Sequence, residues 1–123
     1  MAQLSTKIKK YLAANSVNEV DFLSDVLLQD DGSGPYIKEW NISGVSKPTD
    51  SQLNSYETAA DLEEKLKIIR FKRDKLIAET DYLALSDQTL STEMSTYRQA
   101  LRDITNGITT VEQANNVTWP TKP

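Results

Sequence analysis

The chain has 123 residues with 14 basic and 18 acidic side chains, a net charge of −4, and an apolar fraction of 38%. Its length allows one domain, or one domain with an extended arm, around a modest core. The acidic balance argues against nucleic acid as a partner, because phosphate binding needs a basic field.

Cysteine and histidine are both absent. Their absence removes disulfides, thiol nucleophiles, the usual general base and the commonest metal ligand together. No apolar run approaches the ~18 residues of a membrane span, and no stretch resembles a signal peptide, so the reading is a protein made and folded in a cytoplasm. Asn41-Ile42-Ser43 and Asn116-Val117-Thr118 fit the glycosylation pattern but lack that secretory context.

Leu4, Ile8, Tyr11 and Leu12 recur at helical spacing and predict a short amphipathic helix. Two β-prone runs, around Phe22 to Leu28 and Tyr36 to Ile42, flank Asp30-Asp31-Gly32-Ser33-Gly34-Pro35 and predict a hairpin with a glycine-rich turn. Strict alternation in the second run sends Tyr36, Lys38 and Trp40 to one face and Ile37, Glu39 and Asn41 to the other. The turn lacks the alternating oxygen donors of a calcium loop, since its third and fifth positions are glycine.

Thr49 with Gln52 forms a capping box that opens a helix. Neither glycine nor proline interrupts the chain from Thr49 to about Leu83, a run of ~50 Å if unbroken, so the helix must break or project. Leu62, Leu66, Ile69, Leu76 and Ile77 form one apolar stripe, with Arg73 in its midst and Asp81 or Asp103 as its candidate ion partner. Leu53, Ala60, Ile68 and Phe71 lie on roughly the opposite side. Either the chain covers both faces itself, or the second face meets another protein. A linker over 84–92 then leads to a shorter helix from about Thr92 to Thr105, carrying Met94, Tyr97, Leu101 and Ile104 on one side and stopped by Asn106-Gly107. The remaining apolar residues, Ile108, Val111, Val117 and Trp119, are spread through a polar arm.

The acidic residues sit mostly as helical pairs with lysine, such as Asp61 with Lys65 and Glu63 with Lys67, so no carboxylate pair marks a cleft and no enzyme, cofactor or metal is expected. Tyr36, Trp40, Leu53, Ile68 and Phe71 are the candidate partner contacts, because aromatic and large apolar anchors dominate interfaces.

The ordered series Arg73-Asp74, Thr80-Asp81, Tyr97-Arg98, Leu101-Arg102-Asp103 and Trp119-Pro120 resembles the C-terminal region of the phage tail assembly chaperone family and the related end of tail fibre assembly chaperones. It covers about residues 70–123. Tyr82 departs from the family's frequent tryptophan, and Thr105-Asn106-Gly107 replaces a proline-containing step. Residues 21–53 resemble a hairpin module of small phage and prophage tail-operon proteins. The resemblance implies a non-catalytic protein that binds and shields a phage tail or tail fibre protein in the host cytoplasm during assembly. A permanent virion subunit (fibre, adaptor or decoration) is the alternative, and self-association is left open.

The expected architecture is α+β: helix and hairpin over 1–48, then a long helix, a shorter helix and an extended arm over 49–123. Trp119 is expected to dock between the later helices near Tyr97 and Leu76, with Pro120 fixing its approach.

Overall fold

A computed structural model describes residues 2–85, 87 and 89–123, so positions 86 and 88 of the expected linker lie outside the described residues. Among these residues the chain forms five α-helices and a two-stranded antiparallel sheet, an α+β arrangement as read from the sequence. It divides into two compact units, 1–61 and 62–123. The boundary between these units falls inside the third helix.

In the first unit, α1 (Leu4–Ala14) buries Ile8, Tyr11 and Leu12 from the expected stripe. The strands β1 (Val26–Asp30) and β2 (Pro35–Trp40) form the expected hairpin. The first begins later than the apolar run because residues 21–25 are folded into a turn: the Asp25 amide donates to the Asp21 carbonyl at 2.8 Å and the Leu23 amide to the Asp21 carboxylate at 2.8 Å. The hairpin turn is held by Asp30, whose Oδ1 accepts the amides of Gly32 and Gly34 at 2.8 and 3.2 Å. Those two glycines take φ of 109° and 105°, which side chains rarely adopt.

Strict alternation fails within β2. Leu27 pairs with Glu39 but Leu28 pairs with Ile37, so Lys38 is an extra residue, a bulge. Beyond it the faces exchange, and Trp40, opposite Val26, joins Ile37, opposite Leu28, on the core side. The core of this unit is Ile8, Tyr11, Leu12, Val26, Ile37 and Leu53, with Trp40 and Tyr56 packed against it.

The helix starting at Thr49 breaks. The short α2 (Asp50–Asn54) carries the expected capping box, with the Thr49 amide donating to Gln52 Oε1 at 2.8 Å and the Gln52 amide to Thr49 Oγ1 at 3.2 Å. The Ser55 hydroxyl donates to the Gln52 carbonyl at 2.6 Å, a local bond that competes with continued helix. Tyr56 turns edge-on to Tyr11, with ring centroids 6.3 Å apart. α3 (Glu57–Ala78) then runs for 22 residues.

In the second unit, α3 leads to a 3₁₀ turn (Asp81–Ala84), α4 (Thr92–Arg102) and α5 (Val111–Asn115). Its core is Met94, Tyr97 and Leu101, with Leu76, Ile77, Leu83, Leu90 and Trp119 packed on it. The short α5 lies in what reads as arm. Thr110 and Gln113 form a second capping box there, the same Thr-x-x-Gln signature as at Thr49.

Candidate functional site

The residues singled out by their motif divide into a buried anchor and a set of surface contacts. The anchor begins at the C-terminus of α3, where carbonyls lack helical partners and the helix dipole is negative. Neither glycine nor proline stands there. Instead the Ile77 carbonyl accepts from the Thr80 amide at 3.0 Å, the Thr80 hydroxyl at 3.1 Å and Arg98 Nη1 at 3.1 Å. Arg98 Nη1 also donates to Thr80 Oγ1 at 2.7 Å, and its Nη2 meets Asp81 Oδ1 at 2.9 Å. Arg98 is only 6% exposed and Thr80 is fully buried, while the Asp81 side chain is 61% exposed. A guanidinium suits this position because its planar fork satisfies three acceptors and its charge faces the helix end. Tyr97 beside it is buried in the core of the same unit, so one turn of α4 both fills that core and caps α3.

Trp119 packs on this core, half-buried, with Lys72 Nζ 4.5 Å from its ring centroid. Pro120 follows it half-buried, and with Thr121 and Pro123 lines a groove of about 380 Å³ against Thr92, Thr96 and Tyr97.

The other motif residues make local contacts. Arg73 pairs with its neighbour Asp74 at 2.9 Å, and not with Asp81 or Asp103 as the sequence suggested. The reason is competition: Asp81 is held by Arg98, and Asp103 accepts from Gln99 at 3.0 Å on the outer side of α4. Arg102 Nη1 likewise donates to Gln99 at 3.2 Å.

The candidate partner contacts separate sharply. Leu53 is 5% exposed and Ala60 is fully buried, both inside the first unit, so neither is open to another protein. Trp40 is withdrawn too: the bulge turns it inward, its centroid lies 6.2 Å from that of Tyr11, and its indole nitrogen donates to the Val45 carbonyl at 2.8 Å. Tyr36 is 42% exposed, and its hydroxyl donates to Asp31 Oδ2 at 2.7 Å, which raises the phenol pKa and lowers that of the carboxyl. On α3, Ile68 and Phe71 are 70% and 78% exposed. Among the described residues these two are adjacent on one helix face, where folding within a unit leaves large apolar side chains uncovered.

In the first unit a cleft of about 500 Å³ is lined by Ala2, Leu4, Lys7, Pro35, Asp50 and Leu53. Its lysine is engaged by Glu57 at 3.4 Å, and that carboxylate, which also accepts the Ala2 amide at 2.7 Å, titrates below the usual glutamate range chiefly because of the amide bond. Among the described residues no group of three or more acidic side chains is placed to hold a metal ion. No helix described is long and apolar enough to cross a membrane.

The sequence undervalued Thr80. Its signal was the uncapped end of α3: a helix that stops without glycine or proline needs side-chain partners for its last carbonyls.

Comparison with known proteins follows the same division of the chain. No curated protein and no solved structure gives a match. Residues 9–65 match the family model described as XkdW protein, and residues 66–123, which contain the whole Thr80–Arg98–Trp119 arrangement, match the family model described as phage tail assembly chaperone protein.

Proposed function

We propose that this protein is a non-catalytic phage tail assembly factor that binds and shields a phage tail or tail fibre protein. The observation that carries this reading is the use to which the motif is put. Thr80, Asp81 and Arg98 spend their polar groups on one another and on the end of α3, and Tyr97 fills the core beside them. A motif consumed by architecture supports a binding scaffold rather than a reaction centre. The match of residues 66–123 to phage tail assembly chaperones supports the setting.

Ile68 and Phe71 are the protein-contact surface in this reading, because large exposed side chains side by side on a helix are the anchors that interfaces use. Tyr36 at the hairpin is a second contact. Binding takes place in the host cytoplasm while tails are built.

Stopping translation of this chain in an infecting phage should yield heads without functional tails. Normal tails in such a lysate would overturn the reading. Quantitative mass spectrometry of purified virions then separates a transient factor, absent from particles, from a retained subunit present at fixed copy number.

A further inference from the structure

Ile68 and Phe71 on α3 belong to neither core, and their surroundings are charged. Residues three and four apart are neighbours on a helix surface. By that spacing Ile68 borders Glu64, Lys65 and Lys72, and Phe71 borders Lys67, Asp74 and Lys75. The two carboxylates are already engaged: Glu64 interacts within the chain, and Asp74 is held by Arg73 at 2.9 Å. Lys65 is engaged as well. Lys67, Lys72 and Lys75 are exposed, and among the described residues Lys67 and Lys75 make no ion pair. Lys72 lies over the Trp119 ring at 4.5 Å, a contact that leaves its charge uncancelled.

We propose that this face takes an acidic amphipathic helix of a partner protein, its apolar side chains meeting Ile68 and Phe71 and its carboxylates reaching Lys67, Lys72 and Lys75. This rests on reading the Ile68–Phe71 face as a protein contact, and it names the chemistry of the occupant.

Charge complementarity selects that occupant. Apolar anchors bordered by one sign of charge fit a helix bearing the opposite sign, since like charges juxtaposed at an interface are unfavourable. A second copy presenting the same face would set these lysines against one another. A membrane or nucleic acid would attract the lysines too, but each is an extended anionic surface, and the chain as a whole carries a charge of −4. A single acidic helix meets the basic patch alone. The patch from Lys67 to Lys75 is about 12 Å long at 1.5 Å per residue. Such a contact is small beside a standard interface, so the complex is weak, with Kd on the order of 10–100 μM.

Fluorescence anisotropy tests this with a labelled synthetic helix that has leucines at spacings of three and four and glutamates elsewhere. This peptide should bind the full chain, and binding should weaken several-fold as salt rises from about 50 to about 500 mM, because exposed charges are screened. The same peptide with lysine for glutamate, or with serine for leucine, should not bind detectably. Phe71→Glu should weaken binding at least about tenfold, the effect of losing an anchor. Lys67→Glu with Lys75→Glu should abolish it and shift preference to the lysine peptide, a reversal that loss of structure would not produce. Circular dichroism checks that each variant keeps its fold.

No binding of the glutamate peptide, or equal binding of the lysine peptide, overturns the proposal. If vesicles of phosphatidylglycerol or duplex DNA bind in its place, and Phe71→Glu removes that binding, the face belongs to an anionic surface instead. The translation stop in phage tests the assembly role by itself. Peptide binding with normal tails keeps the acidic-helix site and removes the role; missing tails without peptide binding keep the role and overturn the occupant.

Discussion

Arg98→Ala tests whether α4 is held to the end of α3 by the guanidinium. The wild-type side chain donates three hydrogen bonds at 2.7–3.1 Å while only 6% of the residue is exposed. Hydrogen bonds to charged groups contribute about 1.5–3 kcal/mol each. The bond to Asp81 falls short of that range because this carboxylate is 61% exposed, leaving about 1 kcal/mol or less. Removing the charge from the negative end of α3 costs roughly another 0.3–1 kcal/mol.

Two effects reduce the total. The desolvation of a buried guanidinium is relieved, and the Ile77 carbonyl keeps two donors from Thr80. The net loss should be about 2–4 kcal/mol, or at least about 10 °C in the melting temperature of a unit this small. The two tryptophans make the assay selective, since Trp40 lies in the first unit and Trp119 in the second. In a Trp40→Phe background, urea unfolding followed by Trp119 fluorescence reports the second unit alone. Arg98→Lys should recover only part of the loss, because an ammonium keeps the charge without the fork. Asp81→Asn should cost under about 1 kcal/mol. A loss below about 0.5 kcal/mol for Arg98→Ala, or full recovery with lysine, would refute the capping argument.

Trp119→Ala should destabilise the second unit by about 2–4 kcal/mol, at or below the cost of emptying a buried tryptophan site because Trp119 is half-buried; Lys72→Ala, which removes only the cation above the ring, should cost about 0.5–1 kcal/mol, and both are read by chemical denaturation followed by circular dichroism. Glu57 titrates below the ordinary glutamate range because the Ala2 amide and Lys7 favour its charged form. Its contribution is therefore present above the unfolded pKa of about 4.3 and is lost as pH falls through the lower folded value. Melting Glu57→Gln between pH 7 and pH 3 should show a shallower acid loss than wild type; an identical pH slope would dismiss Glu57 as a contributor.

Legibility from sequence followed the range of the interaction. The hairpin and the capping box at Thr49 were readable because their determinants are adjacent in the chain: a glycine-rich turn between β-prone runs, and Thr-x-x-Gln. The second Thr-x-x-Gln, at Thr110, carried the same signal within a polar stretch and marks a helix too short to show periodicity. The facing of Trp40 was not readable. It depends on the extra residue at Lys38, and a single-residue bulge exchanges every face beyond it. The interruption near Ser55 is not located by the sequence, since the length of the run requires only that the helix break or project.

The ion pairs were harder again, for a physical reason. Helical spacing placed Arg73 in an apolar stripe and made it the arginine needing a distant partner, yet it is satisfied by the adjacent Asp74. Arg98, in a helix whose spacing gave no such warning, is the buried cation. What distinguishes them is the unfinished end of another helix 21 residues earlier in the chain. A capping requirement at one place can be met by a side chain from anywhere, so periodicity within α4 cannot reveal it.

This bears on how the chain divides its labour. Within the motif of the second unit, Thr80, Asp81 and Arg98 converge on the end of α3 and join α4 to it. The exposed surface of α3, by contrast, places two large apolar residues amid lysines and arginines: Lys67, Arg70, Lys72, Arg73 and Lys75 stand in one nine-residue stretch against the single carboxylate of Asp74. Substitutions at Arg98, Thr80 or Tyr97 should therefore act through stability, whereas Ile68 and Phe71 can change without disturbing the fold. In the reading proposed above, the residues that hold α4 to α3 and the residues that meet a partner are different ones. On that reading, substitutions that alter partner binding without altering stability are to be sought at Ile68 and Phe71, which α3 leaves exposed.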